Sequence, residues 1–126
     1  MSQSAIAVSP RQKEIYEQYL RQLDLHMQDL KEGSAERVLE IRELAALLHV
    51  HPAHLSNTIK EVTGKSTCSF YEERLLALAK ELLLTTRSIA QVAAQLTYDP
   101  SNFTKFFKNY TGITPKQFRQ QEPLKS

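Results

Sequence analysis

Apolar residues recur along this chain at intervals of three and four and almost never alternate strictly, which is the spacing of one face of an α-helix. A first run through Tyr16, Leu20, Leu23, Met27 and Leu30 is opened by Ser9-Pro10 with Gln12 and ended by Gly33. Serine followed three residues later by glutamine is a capping pattern, and proline is favoured at the first helical position. Ile41, Leu44, Ala45 and Leu48 mark a short helix. His51-Pro52 opens the next, and Gly64 stands where a left-handed residue would close it. Ser66 can cap a long helix through Leu84 that carries Phe70, Leu75, Leu78, Leu82 and Leu83. Ser88 with Gln91, Asp99-Pro100, and Thr114-Pro115 with Gln117 start three more helices. The expected fold is all-α, with about seven helices and no strand.

The chain also repeats itself with a period of 48 residues. Residues 41–64 align on 89–112 without a gap: Ile41 on Ile89, Ala45-Ala46 on Ala93-Ala94, Leu48 on Leu96, Pro52 on Pro100. Lys60-x-x-Thr63-Gly64 falls on Lys108-x-x-Thr111-Gly112. Each copy reads as a short amphipathic helix, a tight turn and a longer helix opened by proline, which is helix-turn-helix anatomy. Leu48, Leu55 and Ile59 would form one apolar triangle, and Leu96, Phe103 and Phe107 a second. Ala45 and Ala93 are small where the two helices of each copy would cross closely.

The residues left outward on the longer helices are small, polar or cationic. They are Ala53, Ser56, Asn57 and Lys60 in the first copy, and Ser101, Asn102, Thr104, Lys105 and Lys108 in the second. Such a face can enter a major groove, where Asn and Ser bond base edges, Ala and Thr methyls touch thymine, and Lys neutralises phosphates. The amide groups at the helix starts are expected to be open to phosphate as well. Two copies on one chain could read successive groove segments of an asymmetric site.

Composition adds limits. The chain has 126 residues, 41% hydrophobic and 24% charged, as in an ordinary globular domain. Net charge is only +2, but residues 1–63 hold 7 Lys+Arg against 9 Asp+Glu, and residues 64–126 hold 9 against 5. The second half therefore suits a polyanion better. A single cysteine, Cys68, suits a reducing compartment. No apolar run is long enough for a membrane span, and Met1–Pro10 shows no secretory pattern, so a cytoplasmic location is expected.

From Ile41 to Arg119 the sequence resembles the DNA-binding domain of AraC/XylS-type transcriptional regulators. Ile89-Ala-Gln-Val-Ala-Ala-Gln-Leu96, Asp99-Pro-Ser-Asn-Phe-Thr-Lys-Phe-Phe-Lys108 and Thr111-Gly-Ile-Thr-Pro-Lys-Gln-Phe-Arg119 carry the resemblance. It implies two helix-turn-helix lobes joined by a long linker helix, promoter DNA as partner, and activation by recruitment of RNA polymerase. It implies base-facing roles for Ala53, Ser56 and Asn57 and for Pro100, Ser101, Thr104 and Lys105, with Lys60 and Lys108 near the backbone. The implied layout is 1–9 a flexible N-terminus, 10–65 the N-terminal helix and first lobe, 66–84 the linker, 85–120 the second lobe and 121–126 a flexible tail. The family often has glycine where His49 and Thr97 stand. The second turn also looks one residue short, and a non-glycine residue at positive φ costs about 1 kcal/mol, so a different geometry is expected for it.

Other features carry less. His49, His51 and His54 straddle a turn rather than share a helix face, so no metal is expected; His51 is expected to cap the helix, and His54 to pack or touch DNA. No nucleophile-base constellation suggests an enzyme, and no cofactor is expected. The 10–32 helix is expected to pack on the first lobe, with homodimerisation through it as the rival reading. The rival for the whole chain is a helical protein-interaction module that keeps the fold without binding DNA.

Overall fold

The computed structural model describes residues 8–35 and 39–122, so expectations placed on 1–7, 36–38 and 123–126 lie outside the described residues. Among the described residues there are seven helices and no strand. In chain order they are α1 (Pro10–Glu32), α2 (Ile41–Leu47), α3 (Pro52–Thr63), α4 (Thr67–Leu83), α5 (Ile89–Gln95), α6 (Pro100–Thr111) and α7 (Pro115–Gln121). They fall into two units. One holds the described residues up to Leu25 together with Leu39–Tyr71; the other holds the stretch from His26 and the chain from Glu72 onward. Helices α1 and α4 thus contribute to both.

In the first unit α2 packs on α3. Leu48, Leu55 and Ile59 are buried as the triangle required, and Ala45 is fully covered. Helix α1, which belongs to this unit up to Leu25 and to the other from His26, is buried along a stripe different from the expected one. Ile15, Tyr19, Leu23, His26 and Leu30 are buried, while Tyr16, Leu20 and Met27 are only half-buried. The Tyr19 hydroxyl donates to the Thr67 carbonyl at 2.9 Å. The rings of Tyr16 and Tyr19 both meet Phe70 edge-on at 6.3 Å. Tyr19 is a better core residue here than Leu20 because its ring fills volume while its hydroxyl has a partner.

In the second unit α5 packs on α6, and α6 on α7. Leu96, Phe103 and Phe107 are fully buried, as is Ala93. Phe118 of α7 closes edge-on against Phe107 at 5.4 Å. Arg119 donates from Nε to the Leu83 carbonyl at 2.8 Å. A guanidinium at the C-terminal end of α4 suits the negative end of that helix.

The repeat is a repeat of hydrogen bonds as well as residues. Gly64 and Gly112 close α3 and α6 at φ 79° and 83°, each donating its N–H at 2.8 Å to the carbonyl of the lysine four residues back, Lys60 or Lys108. The Thr63 hydroxyl donates to the Ile59 carbonyl at 2.7 Å and accepts from the Lys65 amide at 3.0 Å. Thr111 does the same with the Phe107 carbonyl at 2.9 Å and the Ile113 amide at 3.2 Å. These contacts account for the Thr-Gly pair in both copies: threonine ties the last turn to the exit strand of chain, and glycine accepts the left-handed turn.

Candidate nucleic-acid interface

Each candidate recognition helix is set by the turn before it. In the first copy the amide of Val50 donates to the Ala45 carbonyl at 3.0 Å, and that of His49 to Ala46 at 3.1 Å. In the second, Tyr98 donates to Ala93 at 2.8 Å and Thr97 to Ala94 at 2.9 Å. Both are Schellman closures, which demand a left-handed residue. His49 (φ 59°) and Thr97 (φ 65°) supply it without being glycine. The expected difference between the turns is therefore corrected: they have the same length and the same backbone geometry. The strain, about 1–2 kcal/mol for a non-glycine residue, is outweighed by the buried leucine before each turn, Leu48 or Leu96, worth roughly 1.5–3 kcal/mol.

The starts of α3 and α6 are capped by side chains. His51 Nδ1 accepts from the Ala53 amide at 3.2 Å. Asp99 Oδ2 accepts from the Ser101 amide at 3.0 Å and the Asn102 amide at 3.4 Å. The expectation that the helix starts are open to phosphate is thus corrected for the Ala53, Ser101 and Asn102 amides, which the chain's own caps occupy. The His51 ring has a structural task in that bond. His54 is exposed and does not pack.

On α3, Ala53, Asn57 and Lys60 are exposed and Ser56 is half-buried. At about 100° per residue these four positions span roughly 100° of the helix surface. On α6, Pro100, Ser101, Asn102, Lys105 and Lys108 are exposed and Thr104 is half-buried. Ser101, Thr104, Lys105 and Lys108, the counterparts of the α3 set, share an arc of similar width. Pro100 and Asn102 flank it on either side. Each stripe lies opposite its own buried triangle, so the residues that hold the helix cannot be the ones that touch a ligand.

The buried face of α6 differs from that of α3. Phe106 stands where α3 has the buried Thr58, stacked with Tyr98 at 5.4 Å and against Tyr110 at 5.3 Å. The Tyr110 hydroxyl donates to Glu72 on α4. This aromatic row lies away from the outward stripe and went unmarked in the repeat because its counterparts Val50, Thr58 and Val62 are aliphatic or polar.

Comparison with known proteins agrees with this geometry. Residues 44–121 match the family described as "Helix-turn-helix domain". The arabinose operon regulatory protein of Escherichia coli is 32% identical over 94 residues, covering 73% of this chain and 32% of that protein. The chain belongs to the AraC-type helix-turn-helix family. An uncharacterised helix-turn-helix regulator of Bacillus subtilis, YobQ, is 32% identical over 83 residues, 64% of this chain and 34% of that protein. The AraC-type domain thus spans about a third of the length of these curated relatives. Among solved structures, the C-terminal domain of AraT, a response regulator from Geobacillus stearothermophilus, superposes with a TM-score of 0.72 at 25% identity, covering 96% of this chain and 93% of that one. This chain is an AraC-type DNA-binding domain, similar to those of transcription regulators. No described helix is long and apolar enough to cross a membrane.

Proposed function

We propose that this domain reads a specific duplex site by laying α3 and α6 in successive major-groove segments. Ala53, Ser56 and Asn57, and Pro100, Ser101, Asn102, Thr104 and Lys105, meet base edges, while Lys60 and Lys108 meet phosphates. The observation that carries the reading is the pair of matched stripes, outward on two equivalent helices and opposite two equivalent buried triangles. Asparagine and lysine are suited to adenine and guanine edges, and small side chains let the helix backbone approach. Activation through contact with RNA polymerase, in the cytoplasm, goes with this reading. So does a layout of two lobes, 10–65 and 85–120, joined by a 66–84 linker, with no catalytic role for the chain. Homodimerisation through α1 is not needed, because its Leu23 and Leu30 are already fully buried within the chain.

The test is selection from randomised duplex DNA with the purified chain, followed by sequencing. The expected result is an enriched site with two short elements about one helical turn, ~34 Å, apart, bound by one chain. No enrichment at low salt would favour a protein-interaction role, a reading supported by the low net charge of +2 and the absence of arginine from both outward stripes.

A further inference from the structure

We propose that the cleft between α1 and the first inter-helix turn receives a phosphate of the DNA backbone, held by Arg11 and Arg21. This rests on the DNA-binding reading and extends it to a helix outside the helix-turn-helix. The cleft is about 350 Å³ and is lined by Arg11, Gln18, Arg21, Gln22, Leu47, Leu48 and His49. Every charged side chain in this lining is cationic, both glutamine amides can donate, and no carboxylate is among them. That donor set is complementary to an anion with several acceptor oxygens. Arg21 forms no ion pair with a described residue, and Arg11 is held only by Glu14 at 2.7 Å, where both side chains are more than half exposed. An exposed pair of this kind is weak enough for a phosphate to displace.

Its place in the first unit joins the cleft to the reading face. His49 is the left-handed residue of the turn that delivers α3. Gln12, next to Arg11, donates to Glu61 of α3 at 2.6 Å, which ties the start of α1 to the recognition helix itself. The matching corner of the second copy is built differently. There Gln95, the counterpart of Leu47, donates to the Lys31 carbonyl at 2.6 Å, whereas Leu47 is 52% exposed. The first copy, whose recognition helix offers a single lysine in its outward stripe, thus carries two arginines beside its turn.

The experiment compares wild type, Arg11→Gln, Arg21→Gln, the double variant and Lys13→Gln by fluorescence anisotropy. Each binds the selected duplex and a scrambled duplex over a range of salt, with helicity checked by circular dichroism. Lys13 lies roughly 140° around α1 from the centre of the cleft residues and reports the effect of a lost charge alone. Each arginine variant is expected to bind both duplexes roughly three- to tenfold more weakly near physiological salt, with the log–log salt slope shallower by about one. Lys13→Gln should do less on both counts. A double variant with wild-type affinity and slope overturns the proposal and leaves the cleft to an acidic protein segment. Loss on the selected duplex alone also overturns it, because a phosphate contact is blind to sequence. A wild-type chain with no affinity for either duplex overturns the DNA reading itself, and the proposal with it.

Discussion

Asp99 and His51 occupy the same place in the two copies, one residue before the proline that opens a recognition helix. Both accept backbone amides, but Asp99 brings a negative charge to the end of α6 that would approach a polyanion. Capping explains its presence: aspartate binds two amides there, and losing a cap costs about 1 kcal/mol. Serine caps nearly as well without charge. Asp99→Ser is therefore expected to shift stability by less than about 0.5 kcal/mol while raising affinity for every duplex severalfold, with a steeper salt dependence. Urea unfolding and anisotropy on scrambled duplex together check it; unchanged affinity would place this carboxylate away from the phosphates. Both caps were legible in the sequence, because a polar side chain before proline is a local signal. The occupied amides were not, since that requires knowing which atoms the cap fills. The left-handed turns at His49 and Thr97 were signalled by the family's glycines at those places and not by the residues themselves. Neither residue is glycine, and the Schellman bonds establish the conformation.

At the scale of elements, the shared Thr-Gly closure makes a matched pair of tests. A Cβ placed at Gly64 or Gly112 meets nothing within 4 Å, so alanine there is strained by backbone conformation alone. Gly64→Ala and Gly112→Ala should each cost about 1 kcal/mol, with the same denaturant slope as wild type. Chemical denaturation with a fluorescent or dichroism readout would show it. A much larger loss at either position would mean that the two helix ends are not equivalent. The short helices, the triangles and the closures were legible because the repeat supplied each signal twice. Helix α1 has no second copy, and there the register was misjudged. The apolar spacing points to Tyr16, Leu20 and Met27 as its face, while Ile15, Tyr19 and His26 form it together with Leu23 and Leu30. Leucine and methionine outrank tyrosine and histidine on any apolar scale. The Thr67 carbonyl and the Phe70 ring give Tyr19 partners on the inward face.

For the whole molecule, the question is how two similar reading heads share the work. Their charges differ: the α3 stripe holds one lysine, Lys60, and the α6 stripe holds two, Lys105 and Lys108. The second half of the sequence is also the cationic one, 9 Lys+Arg against 5 Asp+Glu. The α6 head should thus supply more of the sequence-independent attraction, and the α3 head, with Asn57 and Ser56, more of the discrimination per unit of affinity. Two double variants separate these roles. Lys105→Ala with Lys108→Ala should flatten the log–log salt slope by more than one, because Lys105 brings its charge into the groove even where it meets a base edge, and should weaken all duplexes. Asn57→Ala with Lys60→Ala should flatten it by about one, and should lose roughly 1–3 kcal/mol more on the selected site than on scrambled DNA. The reverse order of slopes would assign the electrostatic anchor to the first head. Arg11 and Arg21 beside its turn are untouched in both double variants, so the same titration with those two residues replaced measures separately the charge carried by α1 and the charge carried by the recognition helices.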